Sequence, residues 1–319
     1  MTGRAWIWVA LWSALVLSHL RFGEVGDAWR LAWEGEALGR TILWELRGLR
    51  VALASAVGAG LALGGLLLQT WFHNPLAGPS VLGISSGATL GVAAVVLGGI
   101  TGWGMAGAFS GALLGSAAVM AVLWLVSSRY ANPVTLLVFG LMLGYVVGAL
   151  VTVLQVEATK EALQAFVFWG MGTFSRATWV GAAATAALAL AAGAWAFRHW
   201  KVLDAWTLGA ATATSMGVSE RRLRTGVVWW TGALTALATA ACGPIAFLGV
   251  ATPHLVRMTQ EGRSHRVMVP TVMWAGAALA LLADGVVRWS DGAWPLNAVL
   301  SILAGPLLVY VLLRKTWAA

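Results

Sequence analysis

The chain has 319 residues, of which 60% are hydrophobic and only 10% are charged. A soluble domain carries about 25% charged residues, so this composition excludes a soluble globular protein and predicts an integral membrane protein. The single cysteine, Cys242, excludes an intrachain disulfide and a metal cluster built from cysteines. We interpret residues 1–319 as one transmembrane domain.

Runs without a charged residue predict where the chain crosses the membrane, since a helix needs about 20 apolar residues to span the hydrocarbon core. The run 51–128 is long enough for three crossings, and the run that begins at Thr225 is long enough for two. With the other runs, the sequence predicts an all-α membrane protein of ten transmembrane helices. The first run follows Arg4 as in a signal peptide, but it lacks a clear cleavage site and is expected to stay as a span. The full set of runs is 5–20, 51–128, 130–156, 177–197, 225–256, 267–283 and 292–313.

The basic residues indicate the orientation of the predicted helices. Ten crossings place both termini on one side of the membrane, and that side carries more of the 20 Lys and Arg residues than the other. By the positive-inside rule, both termini are expected in the cytoplasm. The formal net charge of +8 is then explained by topology, and we expect no nucleic-acid partner.

The predicted outer loop, residues 21–50, follows the first span. It is rich in acidic residues, arginines and tryptophans, a pattern typical of a short helix at the membrane interface. Arg47 and Arg50 close this loop and lie three residues apart, on one face of the turn that opens the second span. Arginines that only extend their charged ends into the interface are the common alternative at such positions.

An interruption divides the longest uncharged run, within GAGLALGGLLLQTWFHNPLAGPSVLGISSGATLG at 58–91. Gln69, His73 and Asn74 are followed by Pro75 and Pro79, which predict the end of the helix and an irregular turn. Polar, non-helical backbone at membrane depth is tolerated only where protein or a water-filled cavity surrounds it. A simple turn between two spans and a functional site both stay open. Further along, glycines spaced four apart at 107, 111 and 115 and at 140, 144 and 148 predict close helix packing.

The predicted cytoplasmic segment 198–225 is far longer than a turn between two spans needs. It contains Ala-rich helical pieces at 205–216, a break at Gly217 and a charged cluster at 220–224. From the residues alone, it is either a docking surface or a solvated face.

Motifs for catalysis are missing from the sequence. There is no GxxxxGK[ST] phosphate loop, and the five histidines lie in separate segments without metal-ligand spacing. Charged residues within a predicted span are confined to Asp284 and Arg288, near an outer end, whereas proton-coupled transporters carry buried carboxylates. We therefore predict no catalytic residue, no metal site and an external source of energy. A secondary transporter or channel that works without an ATPase is the alternative.

Five stretches of the chain closely resemble the permeases of ABC importers for iron-siderophores, haem and cobalamin, the FecCD-like family. They are GLLLQTWFHNPLAGPSVLGISSGATLG, FWGMGTFS at 168–175, SMGVSERRLR at 215–224, GPIAFLGVATPHLVR at 243–257 and PLNAVLSILAGPLLVYVLLRK at 295–315. The resemblance implies a ten-span type II importer bundle in a prokaryotic inner or plasma membrane. It also implies a homodimer that passes a metal chelate along its axis to the cytoplasm.

The same resemblance implies partners and a division of labour between them. An extracytoplasmic binding protein delivers the chelate, and two separate ATP-binding cassette subunits hydrolyse ATP with Mg. The permease itself then needs no cofactor. Because the binding protein usually selects the cargo, the sequence leaves iron-siderophore, haem and cobalamin open.

The resemblance assigns residues to three sites. Asn74 and Leu76 match the cytoplasmic gate, to which Asn132 and Pro133 also contribute, although the family often has small hydroxyl residues there. The ATPase-coupling site is centred on Met216, Gly217, Val218, Arg221 and Arg222. Docking of the binding protein is assigned to Arg47, Arg50 and Arg288, and Leu49 replaces the family's usual proline between the first two.

Overall fold

A computed structural model describes residues 4–22, 28–99, 104–129, 133–260, 264–290 and 292–313. Every regular element in these residues is helical. A seven-residue π-helix, Ile42–Gly48, precedes α4, and a short 3-10 helix, Pro79–Leu82, follows it. The α-helices are α1 (Ala5–Arg21), α2 (Ala28–Trp33), α3 (Ala37–Thr41), α4 (Leu49–Phe72), α5 (Ile84–Val96), α6 (Gly104–Arg129), α7 (Pro133–Glu157), α8 (Lys160–Gly170), α9 (Trp179–Arg198), α10 (Trp200–Thr207), α11 (Ala210–Ser215), α12 (Glu220–Cys242), α13 (Leu248–Thr259), α14 (His265–Trp289) and α15 (Leu296–Leu313).

The helical membrane architecture predicted from the sequence is confirmed, but the lengths of the spans are not uniform. Six helices of the described residues are long and apolar enough to cross a membrane. The other four predicted spans correspond to α1, α5, α13 and α15, which have only 12 to 18 residues. The six long helices are Ala37–Phe72, Ala106–Arg129, Val134–Glu157, Trp179–Arg198, Glu220–Cys242 and His265–Trp289.

Helix α4 lies at the centre of the bundle. It continues from α3 and the π-helix as one span of 36 residues, Ala37–Phe72, whose most apolar window is 83% buried. Helices α9, α12, α13 and α14 all pack against α4. Its glycines make this possible: a Cβ added at Gly65 would overlap the Gly249 carbonyl of α13, and one at Gly58 would overlap the Gly276 carbonyl of α14. The glycine-rich first third of the 58–91 stretch therefore permits backbone-to-backbone packing.

The predicted glycine groove of α6 is also present. Gly111 and Gly115 lie against Gly91 and Gly87 of α5, so close that a Cβ at either position would collide with the opposing backbone. The corresponding groove of α7 is only partial. Near its start, α7 meets the turn before α5 closely, but an added Cβ at Gly148 would meet no atom within 4 Å.

The two long segments predicted to lie outside the spans are helical where the structure describes them. The prediction of an outer loop at 21–50 is wrong in its second part, because α3 and the π-helix continue into α4 as one span from Ala37, and only α2 precedes that span. The interfacial position of this region stays a prediction. The segment 198–225 contains α10, α11 and the first turn of α12. The Ala-rich stretch that the sequence assigned to 205–216 is split at Gly209, which has φ +104°, and α11 is followed by Gly217 with φ +86°.

Candidate functional site

The predicted gate turn begins where α4 ends. His73 adopts the left-handed backbone conformation, with φ 48°, and reverses the chain direction. The side-chain oxygen of Asn74 then accepts a hydrogen bond of 2.9 Å from the backbone N–H of Leu76, which is an Asx turn. The Leu76 side chain is 41% exposed. The sequence therefore builds a compact turn, the gate turn (residues 73–77), that presents a leucine at the surface. We call the end of the bundle that carries it the gate end.

Helix α13 supports the gate turn from one side. The ring of His254 donates from Nε2 to the Pro75 carbonyl at 2.7 Å, so this nitrogen carries the proton. The Gln69 side chain donates to the Val250 carbonyl at 3.1 Å and accepts from Arg257 Nη1 at 2.6 Å. The polar residues that interrupt the uncharged run thus satisfy backbone groups and a guanidinium inside the protein.

Helix α10 supports the gate turn from the other side through Trp206. The Trp206 ring is stacked on Trp71, with ring centroids 4.6 Å apart and planes inclined by 10°. Trp206 Nε1 donates to the Trp71 carbonyl at 3.2 Å, which is one of the four carbonyls left without a helical partner at the end of α4. In return, His73 Nε2 donates to the Trp206 carbonyl at 2.7 Å. The two segments are therefore joined by reciprocal hydrogen bonds.

A second contact joins α10 to α14 and α4. Asp204 accepts from the backbone N–H and from Nδ1 of His265, at 2.7 and 2.6 Å, and from the Ser264 hydroxyl at 2.6 Å. His265 Nε2 lies 2.8 Å from the Thr70 hydroxyl, which in turn donates to a carbonyl of its own helix. Burial acts to raise the pKa of Asp204, but the hydrogen bonds from His265 and Ser264 outweigh it and lower the pKa. The contact is a charged, hydrogen-bonded chain from the 198–225 segment to the last turn of α4.

The residues predicted to couple to an ATPase lie on the surface of the gate end. The Met216 side chain is 62% exposed, and Arg221 and Arg222 are exposed on the first turn of α12. Gly217 N–H bonds the Thr214 carbonyl at 2.9 Å, and Val218 N–H bonds the Ala213 carbonyl at 3.0 Å. This is the Schellman pattern of a helix end, which requires the positive φ that Gly217 has. Only Val218 is partly buried, against the main core.

The second half of the predicted gate is not placed by the structure. Asn132 lies outside the described residues, and Pro133 is the first residue of α7. Their contribution to a gate together with Asn74 stays a prediction.

The three arginines predicted to dock a binding protein lie together at the opposite end of the bundle, which we call the rim end. Arg47, Arg50 and Arg288 line one cavity of about 270 Å³. Each also has partners inside the chain. Arg47, which is 6% exposed, donates to the carbonyls of Leu20 and Arg21. Their docking role stays a prediction, because this geometry is equally that of arginines that stabilise the protein internally.

The other two arginines, Arg50 and Arg288, bind groups near the ends of α14 and α1. Arg50 forms a bidentate ion pair with Asp284, with nitrogen–oxygen distances of 2.7 to 3.0 Å. Arg288 donates to the carbonyls of His19 and Phe22, so that, with Arg47, it satisfies the exposed carbonyls at the end of α1. Asp284 is only 1% exposed, and His19 Nε2 lies 3.4 Å from it. It is a buried carboxylate within a span, but both of its oxygens are engaged by Arg50.

Sequence reasoning missed the residues that connect the 198–225 segment to the gate turn. The sequence places Asp204 and Trp206 in the 198–225 segment and His265 among five separate histidines, and it gives none of the three a role. Their partners are distant in the chain: Asp204 and His265 are 61 residues apart, and Trp206 and His73 are 133 apart. The one available signal was Asp204 itself, one of two acidic residues in a mostly basic segment.

Comparisons with known proteins agree with this architecture. Residues 7–314 match the FecCD transport family. The vitamin B12 import system permease protein BtuC of Photorhabdus laumondii is 33% identical over 296 residues, covering 91% of this chain and 87% of the relative. The molybdate import system permease protein MolB of Haemophilus influenzae is 31% identical over 306 residues, covering 93% and 89%. The hemin transport system permease protein HmuU of Yersinia pestis is 30% identical over 311 residues, covering 94% and 92%.

A solved structure is similar along the whole chain. It is a metal-chelate-type ABC transporter in an inward-facing conformation, with a TM-score of 0.84, 28% sequence identity and 98% of each chain covered. The match therefore extends over all the spans, the gate turn and the 198–225 segment. The chain belongs to the FecCD transport family, and it is a multi-pass permease of the ABC importer type.

Proposed function

We propose that this permease imports a metal chelate as a homodimer, together with two ATPase subunits and an extracytoplasmic binding protein. One observation carries the proposal: the exposed residues Met216, Arg221 and Arg222 lie at the same end of α4 as the gate turn. An ATPase seated on the 198–225 segment would therefore act next to the gate turn. The gate end then faces the cytoplasm and the rim end faces the binding protein.

The state of the buried carboxylate supports an ATP-driven mechanism over an ion-coupled one. A proton- or sodium-coupled carrier needs a carboxylate that can exchange its cation. Asp284 is held by Arg50 through two parallel hydrogen bonds, from Nε to Oδ2 and from Nη2 to Oδ1, and a buried pair of this geometry is costly to break because each partner would be left with an uncompensated charge.

The exposed faces of α7 and α15 support a homodimer. The most apolar window of α7 is only 22% buried. Apolar side chains on both helices are left uncovered, including Tyr145 and Val153 of α7 and Ile302 and Val309 of α15, all more than half exposed. Lipid covers some of this surface in a membrane, and we propose that a second copy of the chain covers the rest, with the pathway between the two copies. Native mass spectrometry of the detergent-solubilised permease tests this by its mass.

The cargo is proposed from the relatives. Their names specify vitamin B12, hemin and molybdate, and the solved structure belongs to a metal-chelate transporter. We propose a large metal chelate, namely cobalamin, haem or an iron-siderophore. Molybdate, a small oxyanion, is the second candidate because a relative of 31% identity carries it by name.

Reconstitution tests the proposal directly. Proteoliposomes that contain the permease and its ATPase are supplied with the binding protein and, in turn, with cyanocobalamin, hemin, a ferric hydroxamate siderophore and molybdate. We expect uptake of one of these only when the ATPase, the binding protein and ATP are all present. Liposomes that contain the permease alone, with an imposed proton or sodium gradient, are the matched control. Uptake by these liposomes would refute the ATP-driven mechanism.

A further inference from the structure

Helix α10 lies outside the spans, yet its contact with the end of α4 is deeply buried and is held by hydrogen bonds. Trp206 is 1% exposed and Trp71 is fully buried, so their stacked rings lie inside the main core. The hydrogen bonds run in both directions, from Trp206 to the Trp71 carbonyl and from His73 back to the Trp206 carbonyl. His73 is the residue that turns the chain from α4 into the gate turn.

We propose that Trp206 and His73 are positioning residues that transmit displacement of the coupling segment, residues 198–225, to the gate turn. The inference rests on the function proposed above, in which an ATPase moves that segment. Because one partner is the backbone of α10 and the other is the hinge residue of the gate turn, α10 cannot shift relative to α4 without breaking this link. A displacement of α10 is therefore delivered to residues 73–77.

The second contact of α10, through Asp204, restrains the helix in another direction than the Trp206–His73 contact does. The chain Asp204–His265–Thr70 fixes α10 to the start of α14 and to the last turn of α4. The Asp204 carboxylate accepts three hydrogen bonds. Hydrogen bonds to a charged group are about twice as strong as those between neutral groups, so this contact holds α10 firmly. Rotation of α10 around Trp206 is thereby opposed, so that movement is transferred and not absorbed.

The gate turn itself is less constrained. Two hydrogen bonds hold it internally, the Asx bond of Asn74 and a bond of 3.1 Å from the Ala77 N–H to the Asn74 carbonyl. Beyond its base at His73, its support is the His254 bond to Pro75. Leu76 is exposed, whereas Trp206 and Trp71 at the base of the turn are buried. The turn can therefore respond to movement at its base, and the exposed Leu76 is the position at which the response can be measured.

Two substitutions remove the link without removing the surrounding core. His73→Asn keeps a residue that tolerates the left-handed conformation but cannot reach the Trp206 carbonyl. Trp206→Phe keeps an aromatic ring to stack on Trp71 but has no N–H donor. His199→Asn is the matched control, because His199 lies beside α10 and, among the described residues, its ring hydrogen-bonds the carbonyl and contacts the ring of Trp195, one turn earlier in its own helix.

The readout is the accessibility of a single cysteine introduced as Leu76→Cys in the full permease–ATPase complex. The native Cys242 is buried and provides a low background, which is measured in the complex without the introduced cysteine. The rate of labelling by a polar maleimide is measured without nucleotide and after trapping with ATP and vanadate. The ratio of these two rates is the nucleotide response, and the ATPase rate of each sample is recorded beside it.

We expect the nucleotide response to fall about fivefold in His73→Asn and in Trp206→Phe, the effect of losing one hydrogen bond's worth of coupling. The His199→Asn control keeps the full response. A merely structural role would lower assembly and ATPase rate together but leave the response of the assembled complex intact. An unchanged response in His73→Asn overturns the inference alone, and so does an equal loss in the control. If the complex that carries Leu76→Cys alone shows no nucleotide response, the proposed gate itself is wrong.

Discussion

Replacement of Gly217 tests whether the coupling segment acts through its shape. Gly217 has φ +86°, and a Cβ added there would meet no atom within 4 Å. The cost of Gly217→Val is therefore conformational and not steric. A non-glycine residue in the left-handed region costs about 1–2 kcal/mol, and a β-branched residue is disfavoured further.

The alternative to this strain is loss of the turn. If the backbone leaves the left-handed region, the Gly217–Thr214 and Val218–Ala213 hydrogen bonds break, at about 0.5–1.5 kcal/mol each. Either route costs about 1–3 kcal/mol, which shifts the population of the native loop about 5- to 150-fold. We expect uptake per ATP hydrolysed to fall within this range, while the spans stay folded.

The assay measures uptake and ATP hydrolysis in the same proteoliposomes. Gly217→Asn is the first control, because asparagine tolerates positive φ and should keep most of the coupling. Gly292→Val is the second: Gly292 has φ +76° and open space around it, but it lies at the rim end, so that equal strain there should leave coupling intact. If Gly217→Val transports as efficiently as the unmodified protein, the segment is a solvated loop and the coupling assignment is wrong.

Three further predictions address the rim, the second contact of α10 and the centre of the bundle. Arg47→Glu should slow association with the binding protein most strongly at low salt, where rim charges act on encounter rate; an unchanged rate at every salt concentration would leave Arg47 with its internal role alone. The carboxylate of Asp204, whose pKa is lowered in the folded protein, contributes stability that is fully present above the unfolded pKa and is lost as pH falls through the lowered one. Thermal unfolding across acidic pH should therefore show a smaller decline in Asp204→Asn, and an identical pH profile would contradict the assignment. Gly65→Ala should lower the free energy of unfolding by about 3 kcal/mol, the upper end for overpacking, whereas Gly148→Ala, where the added methyl group meets open space, should be close to neutral in the same denaturation assay.

The membrane architecture could be predicted because membrane-spanning helices require an apolar composition and long runs without charge, and both can be read from the sequence. The turn after α4 was predictable for the same kind of reason, since Asn74 and the two prolines are local signals. The first span has the length of its run, 5–20, but α5, α13 and α15 are shorter than the uncharged runs allow, because the absence of charge does not distinguish helix from irregular apolar backbone. Residues 243–247, for example, lie within the uncharged run 225–256, yet they form the connection between α12 and α13.

The contacts of the candidate site could not be predicted because they join residues that only the fold brings together. For Arg50 the sequence offers docking or a pair with one of the acids Glu45, Asp284 and Asp291, and only the approach of α14 to α4 selects Asp284. The same holds for Trp206, whose role depends on the carbonyl of Trp71. A side chain that satisfies a distant backbone group leaves no periodicity or spacing in a single sequence.

The pairing of α4 with α14 has a mechanical consequence. The two helices are tied by Arg50 and Asp284 at the rim end and by Thr70 and His265 at the gate end, about 30 Å away at 1.5 Å per residue. Between these ties their glycines bring the backbones into direct contact. Neither helix can slide or turn past the other, so the pair moves as one rigid body. A displacement of the gate end, which we propose faces the cytoplasm, is therefore carried as one movement to the rim end, where we propose that the binding protein docks.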